Sequence, residues 1–150
     1  MTKLNEIYNF LKLDDDLLTS GQPSEAQYPA IAEAGVQTVI NLALPTSDHA
    51  LPDEAALARS LDLDYIPIPV VWEAPRREDF ERFAQTLEAL KGRRLLVHCA
   101  ANMRVSAFIA LYRIERLGWR RDKAFEDVYR IWNPYSNPTW AQFVDSILKK

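Results

Sequence analysis

Several features that other classes of protein need are scarce in this chain. It holds one cysteine among 150 residues, which excludes a disulfide framework within the chain and a metal site built from several cysteines. No stretch approaches the roughly 20 apolar residues that cross a bilayer. The segment 1–13 lacks the apolar core of a signal peptide because Asn5, Glu6 and Asn9 interrupt it. We therefore expect no membrane partner and a reducing, cytoplasmic setting.

The chain also carries little net charge. The net charge of −3 provides no general attraction to nucleic acid or to an anionic membrane, so we expect no nucleic-acid partner. An anionic ligand would have to be attracted locally. The composition, 48% hydrophobic and 26% charged, is that of an ordinary globular protein. A chain of this length suits one domain with a substantial core, and we predict a single domain over residues 1–150.

The only cysteine lies in the most informative stretch of the chain, Val-His-Cys-Ala-Ala-Asn-Met-Arg-Val-Ser at 97–106. The apolar run 95–97 precedes it, and an apolar helical pattern follows it. In a loop between a strand and a helix, backbone N–H groups and the helix N-terminus favour the thiolate, which is the nucleophile. Arg104 adds a forked donor that suits a tetrahedral oxyanion. The alternative is that Cys99 is a small buried apolar residue and Arg104 a surface residue.

Strand-like and helix-like patterns alternate along the chain. The segments 17–19, 36–42, 65–68 and 95–97 resemble strands, and Pro67 and Pro69 favour a sheet edge for the third. Helical patterns cover 4–11, 24–34, 53–61, 80–90, 104–117, 121–132 and 139–148, with a Ser24–Gln27 capping box opening the second. The alternation predicts an α/β fold with a central, mostly parallel sheet flanked by helices. Cys99 would then lie in the crevice at the carboxyl ends of the strands.

The segment His98-Cys99-(four residues)-Arg104-Val105-Ser106 resembles the signature of cysteine-dependent tyrosine and dual-specificity phosphatases. The upstream Leu-Thr-Ser-Gly-Gln-Pro at 18–23 and the run 34–42 are similar to bacterial phosphatase-like domains of this class. Together the similar segments extend over about 17–117, two-thirds of the chain.

This resemblance implies a three-layer α/β fold, no metal, no organic cofactor, and hydrolysis of a phosphate-bearing substrate through a phosphocysteine. By the same resemblance Cys99 is the nucleophile, Arg104 binds the phosphate and Ser106 assists the thiolate. The loop residues that would bind the phosphate with them are Ala100, Ala101, Asn102 and Met103. Asn102 stands where a glycine commonly permits a left-handed backbone, and asparagine tolerates that conformation best after glycine.

The loop departs from the phosphatase pattern because four residues, rather than five, separate Cys99 from Arg104. In one reading a loop residue is deleted and Arg104 closes a smaller ring of amides. In the other the loop length is kept, Val105 stands where the arginine belongs and Ser106 keeps the hydroxyl position. The spacing equals that of rhodanese-type sulfurtransferases, in which the ring surrounds a persulfide. A sulfurtransferase and a non-catalytic phosphate-binding module therefore remain as alternative functions.

Hydrolysis of a phosphomonoester also needs a proton donor for the leaving oxygen. The family places an aspartate on an upstream loop beside tryptophan and proline, and the corresponding stretch here is Trp-Glu-Ala-Pro at 72–75, so Glu73 is the candidate acid. Asp79 follows on a predicted helix, and Asp48 and His49 occupy another loop that could face the site. For Glu73, Asp48 and His49 a solvated surface position is the alternative. His98, at the strand end, is expected to support the loop through hydrogen bonds.

Overall fold

The computed structural model describes residues 3–149. Its strands are β1 (Leu11–Asp14), β2 (Leu17–Ser20), β3 (Thr38–Asn41), β4 (Asp64–Pro67) and β5 (Leu95–His98). Its α-helices are α1 (Tyr28–Glu33), α2 (Glu54–Ser60), α3 (Arg77–Ala89), α4 (Met103–Glu115), α5 (Arg121–Val128) and α6 (Pro138–Leu148). Short 3-10 helices cover Leu4–Glu6, Glu25–Gln27 and Pro134–Ser136.

The five strands form one sheet in the order β1-β2-β5-β3-β4. β2, β5, β3 and β4 run parallel to one another, while β1 pairs with β2 in the antiparallel sense. The predicted α/β fold with a mostly parallel sheet is therefore confirmed. The carboxyl ends of four strands meet at one edge of the sheet, and Cys99 directly follows the central strand β5 at that edge.

Helices cover both faces of the sheet, which gives the expected three layers. All four residues of β3 and of β5 are buried, as central strands covered on both faces require. Along β5 the side chains alternate between faces, so that Val97 packs with α3, α4, α5 and α6 while Leu96 packs with α1 and α2. The edge strand β4 is only partly buried, and Pro67 ends it, as predicted from the two prolines.

Helix α4 is the central element of the larger core. Nine of its 13 residues are buried, in agreement with the apolar helical pattern that follows the cysteine in the sequence. Phe108, in its middle, contacts four aromatic rings, those of Phe80, Phe83, Trp140 and Phe143. The N-terminus of α4, and with it the loop after β5, is thus held by a large apolar cluster.

The prediction of a helix over 4–11 is wrong. Only Leu4–Glu6 is helical, as one 3-10 turn, and Leu11 opens β1. Leu11 pairs with Thr19 in the hairpin of β1 and β2. A helix of two turns is only marginally stable by itself, whereas the hairpin adds a row of backbone hydrogen bonds to the sheet. The second predicted helix also begins differently, as the 3-10 turn Glu25–Gln27, although the backbone N–H of Ser24 does donate to Gln27 Oε1 at 2.9 Å.

None of the helices within residues 3–149 has the length and apolarity that a bilayer crossing requires.

Candidate active site

The loop between β5 and α4, residues 99–102, borders a cavity of about 220 Å³ at the carboxyl edge of the sheet. The residues that line it are Trp72, Cys99, Ala100, Ala101, Met103 and Arg104. Cys99 is 1% exposed and is a free thiol. The structure therefore brings the predicted nucleophile Cys99, the predicted phosphate-binding Arg104 and three of the four predicted loop residues to one small cavity.

The carbonyl groups of this loop are tied to donors outside it. The carbonyl of Cys99 lies 3.2 Å from His98 Nδ1, that of Ala100 accepts from the Gln22 N–H at 3.0 Å, and that of Ala101 accepts from Asn9 Nδ2 at 3.0 Å. In a trans peptide unit the C=O and the N–H point in opposite directions. The N–H groups of residues 100–102 are therefore turned away from these donors, and an anion nest is built from successive N–H groups that are free of such donors.

Asn102 adopts the left-handed conformation expected for it, with φ 65° and ψ 7°. Its side chain stabilises this turn, because Nδ2 donates to the carbonyl of Asn9 at 2.9 Å and to Thr19 Oγ1 at 3.0 Å. A side-chain amide thus makes two hydrogen bonds that glycine could not make. Asn102 is the N-cap of α4, so these two bonds fix the backbone where the loop meets the helix.

The Ser-Gly-Gln-Pro segment at 20–23 packs directly against the loop. Gly21 forms an isolated bridge with Ala101, and its N–H donates to the carbonyl of Tyr8 at 2.7 Å. A Cβ at Gly21 would lie 2.6 Å from the carbonyl oxygen of Ala100 and 2.8 Å from Tyr8 Cδ2. Only glycine allows this close approach of two backbones.

We predict that Gly21→Ala displaces the loop and lowers the free energy of unfolding by about 1–3 kcal/mol, the usual cost of overpacking. Thermal unfolding measures the stability. Titration with tungstate, a phosphate analogue, measures the affinity of the loop for an anion. Gly92→Ala is the matched control, because its φ of 89° strains any side chain but no atom lies within 4 Å. The free energy of unfolding of Gly92→Ala should fall by about 1–2 kcal/mol, and this variant should bind tungstate as the wild type does. Equal tungstate affinities for all three proteins would contradict the prediction.

Arg104 is the second residue of α4, is 7% exposed, and lies between two cavities. Its Nη1 donates to the carbonyl of Val70 at 2.8 Å, which anchors one end of the guanidinium. It lines the cavity of Cys99 and also a neighbouring cavity of about 350 Å³. Val105, in contrast, is fully buried in the larger apolar core. Arg104, and not Val105, therefore reaches the cavity of Cys99, and the closing of a smaller ring of amides by Arg104 stays a prediction.

Two of the candidate acids lie at the second cavity rather than against Cys99. Glu73 and Asp48 are both exposed and both line that cavity together with Trp72 and Arg104. Asp79 is buried at the start of α3, where its carboxylate accepts from the backbone N–H of Arg76 at 3.1 Å and from its Nη2 at 2.9 Å. Asp79 therefore caps the helix.

His49 is exposed in the loop after β3, beside Asp48. The structure does not place it among the residues that line either cavity. Ser106 is also outside the cavity of Cys99, because its hydroxyl donates to the carbonyl of Met103 at 3.1 Å and accepts from Trp132 Nε1 at 3.2 Å. The proposed assistance of the thiolate by Ser106 stays a prediction, and the observed contacts hold the first turn of α4.

Three tryptophans pack between the loop of Glu73, residues 72–75, and the nucleophile loop, residues 99–102. The rings of Trp72, Trp132 and Trp140 lie 5.3–6.0 Å apart. Trp140 Nε1 donates to the carbonyl of Trp72 at 2.9 Å, and Trp132 Nε1 donates to the carbonyl of Met103 at 3.0 Å. The cluster therefore links the loop of Glu73, α6 and the first turn of α4.

The sequence analysis missed Glu54, the first residue of α2. Its carboxylate is 6% exposed and lies beneath the loop, where Oε2 is 2.6 Å from His98 Nε2 and accepts from the hydroxyl of Tyr28. Gln22 Nε2 donates to its Oε1 at 3.1 Å. The available signal was its spacing, because Glu54 precedes the buried Ala58 by four residues and so shares the apolar face of α2.

Burial and hydrogen bonding act in opposite directions on this group. Burial alone would raise the pKa of Glu54, but the hydrogen bond and charge of His98 and the bonds from Tyr28 and Gln22 hold it below its usual value. Burial, together with the neighbouring carboxylate, raises the pKa of Tyr28 far above its ordinary value. Glu54 is therefore an ionised carboxylate at neutral pH, and Tyr28 is its neutral donor.

Within residues 3–149 no group of three or more His, Cys, Asp or Glu side chains is placed to hold a metal ion.

A mostly parallel sheet with a cysteine directly after its central strand, and an arginine in the first turn of the helix that follows, is the architecture of a cysteine-dependent phosphatase. The family model described as "DSP-PTPase phosphatase fused to NAD+ Kinase" matches residues 6–131, and the chain belongs to this family.

Solved structures agree. A candidate phosphatase from Shewanella putrefaciens CN-32 is 35% identical with a TM-score of 0.84, over 96% of this chain and 93% of that one. A variant of TpbA from P. aeruginosa, solved in complex with pTyr, shares the fold at a TM-score of 0.72 and 19% identity, over 93% of this chain and 87% of that one.

A beta-lactamase hydrolase-like protein of Xylella fastidiosa (strain Temecula1) is 27% identical over 114 residues, which cover 74% of this chain and 26% of that protein. The chain thus spans about a quarter of the length of the curated relatives it matches.

Proposed function

We propose that this phosphatase-family chain is an active enzyme that hydrolyses phosphomonoesters through a phosphocysteine on Cys99. One observation carries the proposal: Cys99 and Arg104 line one cavity, beside a loop whose carbonyls are all tied to outside donors. That loop offers its N–H groups to a tetrahedral oxyanion, and Arg104 supplies the positive charge. Membership of the phosphatase family favours this reaction over sulfur transfer.

The reaction has two displacements at phosphorus. In the first, the Cys99 thiolate attacks, an S–P bond forms, the P–O bond to the leaving group breaks, and an acid protonates the leaving oxygen. In the second, water attacks, the S–P bond breaks, and the proton of the water passes to the carboxylate of that acid. Phosphate leaves and the thiolate is restored. The loop N–H groups and Arg104 hold the three non-bridging oxygens through both displacements.

Glu73 is the proposed acid, because it borders the cavity next to that of Cys99 and its neighbour Trp72 is held by the tryptophan cluster. Asp48 borders the same cavity from the loop after β3 and is the competing candidate. The proposed substrate is a phosphate-bearing molecule that reaches the loop in a reducing compartment, with neither a nucleic acid nor a membrane as a partner. The wall formed by Trp72 suits an aryl phosphate such as phosphotyrosine, the ligand solved with TpbA.

The test is turnover of aryl and alkyl phosphates by the wild type, Glu73→Gln and Asp48→Asn. We expect equimolar release of phosphate and alcohol by the wild type, and a loss of about 100-fold for Glu73→Gln with poorly leaving alcohols. The loss should shrink for 4-nitrophenyl phosphate, whose leaving group needs little protonation. The same loss in Asp48→Asn instead would assign the acid to Asp48.

Two other results would replace the proposed reaction. Transfer of sulfur from thiosulfate to cyanide, with no phosphate release, would identify a sulfurtransferase. Binding of orthophosphate without turnover of any phosphomonoester, and with no effect of Glu73→Gln, would identify a binding module.

A further inference from the structure

Two asparagines with left-handed backbones meet at the outer side of the nucleophile loop. Among residues 3–149, three residues other than glycine have a positive φ, which are Asn9 at 49°, Asp62 at 62° and Asn102 at 65°. A side chain makes this conformation unfavourable, and asparagine tolerates it better than most residues. Asn9 and Asn102 are in contact although 93 positions separate them in the chain. The reaction described above gives Asn9 no role.

The contact between the two asparagines is reciprocal. Asn9 Nδ2 donates to the carbonyl of Ala101 at 3.0 Å, and Asn102 Nδ2 donates to the carbonyl of Asn9 at 2.9 Å. Asn102 Nδ2 also donates to Thr19 Oγ1 at 3.0 Å, and that hydroxyl donates to the carbonyl of Leu11 at 2.7 Å. Each left-handed turn is therefore stabilised by the side chain of the other, and both are tied to the hairpin of β1 and β2.

The segment that carries Asn9 is itself fixed to the fold. Ile7 is 2% exposed and packs in the smaller apolar core. The N–H of Phe10 donates to the carbonyl of Ile7 at 3.0 Å, and the carbonyl of Tyr8 accepts from the N–H of Gly21 at 2.7 Å. Asn9 thus lies between anchored neighbours, which hold its backbone beside the loop.

We propose that Asn9 is a positioning residue that keeps the nucleophile loop in its anion-binding shape. In the trans peptide unit between Ala101 and Asn102, the carbonyl and the N–H point in opposite directions. The amide of Asn9 holds this carbonyl on the outer side of the loop. Rotation of the unit by half a turn exchanges the two groups and takes φ of Asn102 out of the unfavourable region. The inner side of the loop would then present a carbonyl oxygen, which repels an anion, in place of an N–H group.

The role of Asn9 in catalysis rests on the proposed phosphatase function, in which the anion is the phosphate of the substrate. Asn9 is exposed, whereas Asn102 is 0% exposed. A substitution at position 9 therefore alters the support of the loop without opening the core.

The test removes the amide of Asn9 and leaves the backbone in its conformation. Asn9→Gly keeps the carbonyl that accepts from Asn102, and glycine adopts a positive φ without strain. We expect the dissociation constant for tungstate to rise about 3-fold to 10-fold, the usual effect of one neutral hydrogen bond. The melting temperature should stay near that of the wild type, because Asn9 is exposed and the relieved φ offsets the lost bond.

Amide hydrogen exchange locates the change in the chain. In Asn9→Gly the exchange should become faster at residues 100–103, where the loop loses its support, and stay at the wild-type rate at residues 107–112 in α4. The value of kcat/KM for 4-nitrophenyl phosphate should fall by the same factor as the tungstate affinity.

Asp62→Gly is the matched control. It relieves a positive φ of similar size just after α2, and Asp62 lines neither the cavity of Cys99 nor the adjoining one. Its tungstate affinity and its kcat/KM should equal those of the wild type.

The proposal is overturned if Asn9→Gly binds tungstate as tightly as the wild type, if Asp62→Gly weakens binding equally, or if exchange also becomes faster throughout α4. Asn9→Asp gives a second measurement, because a carboxylate fits the same space but donates no hydrogen bond to a carbonyl. Should Asn9→Gly not fold, an unchanged tungstate affinity in Asn9→Asp overturns the proposal equally. Tungstate binding and hydrogen exchange need no turnover. A wild type that binds tungstate and hydrolyses no phosphomonoester would therefore contradict the proposed function and leave this result readable.

Discussion

Cys99→Ser is expected to lower kcat for aryl phosphates at least about a thousandfold. A serine hydroxyl at this position does not ionise as a thiol does and is a poor nucleophile. The substitution exchanges one atom for a slightly smaller one in a buried position, so the fold should persist. The measurement is kcat with 4-nitrophenyl phosphate, together with thermal unfolding to confirm that the variant is folded.

The same variant separates chemistry from binding. The loop N–H groups and Arg104 stay in place, so Cys99→Ser should still bind tungstate with an affinity close to that of the wild type. More than a tenth of the wild-type turnover remaining in Cys99→Ser would remove Cys99 from the reaction. Loss of tungstate binding would show instead that the substitution collapses the loop.

Arg104→Lys should lower kcat/KM by about 100-fold to 1000-fold, the usual effect of removing one donor from an oxyanion site. Lysine keeps the positive charge, but it is a point donor without the planar fork that matches two oxygens of a phosphate. It also loses the geometry of the bond from Nη1 to the carbonyl of Val70, which holds the guanidinium at the boundary of the two cavities. The effect should appear in both tungstate affinity and turnover.

Arg113 provides a matched control on the same helix. It is 5% exposed, its Nη1 donates to Asp127 Oδ2 at 2.7 Å, and its guanidinium lies 4.3 Å from the ring centroid of Trp119. Arg113→Lys should therefore lower the melting temperature while kcat/KM stays at the wild-type value. If the two variants lose activity equally, the effect of Arg104→Lys reflects the stability of α4 rather than contact with the phosphate.

The elements near the active site were predictable because their signals are local. The run 95–97 is apolar throughout, as a central strand must be, and β5 occupies Leu95–His98. Asn102 was expected to be left-handed because few residues tolerate that conformation, and its φ is 65°. The helix predicted over 4–11 failed because its apolar spacing also fits a turn followed by a strand, and the partner strand β2 decides between them.

The candidate site was predictable only as far as it is continuous in the chain. Cys99 and Arg104 stand five positions apart, and the first turn of α4 brings them to one cavity. Ser106 and Glu73 carried the family's pattern, yet the hydroxyl of Ser106 is engaged by Met103 and Trp132, and Glu73 borders the adjoining cavity. Residue type and spacing do not tell which way a side chain turns once a neighbouring helix packs against it.

The sequence alone determined the class of the fold and the position of the candidate nucleophile loop, because alternating strand and helix patterns and a lone cysteine between them are local properties. The tertiary structure decided what surrounds the loop. Asn9 and Glu54 stand 92 and 44 positions from Ala101 and His98, the residues that they contact. Contacts at such separations depend on strand order and register, which place β5 between β2 and β3. That arrangement turns the loop carbonyls outward and buries a carboxylate beneath the cysteine.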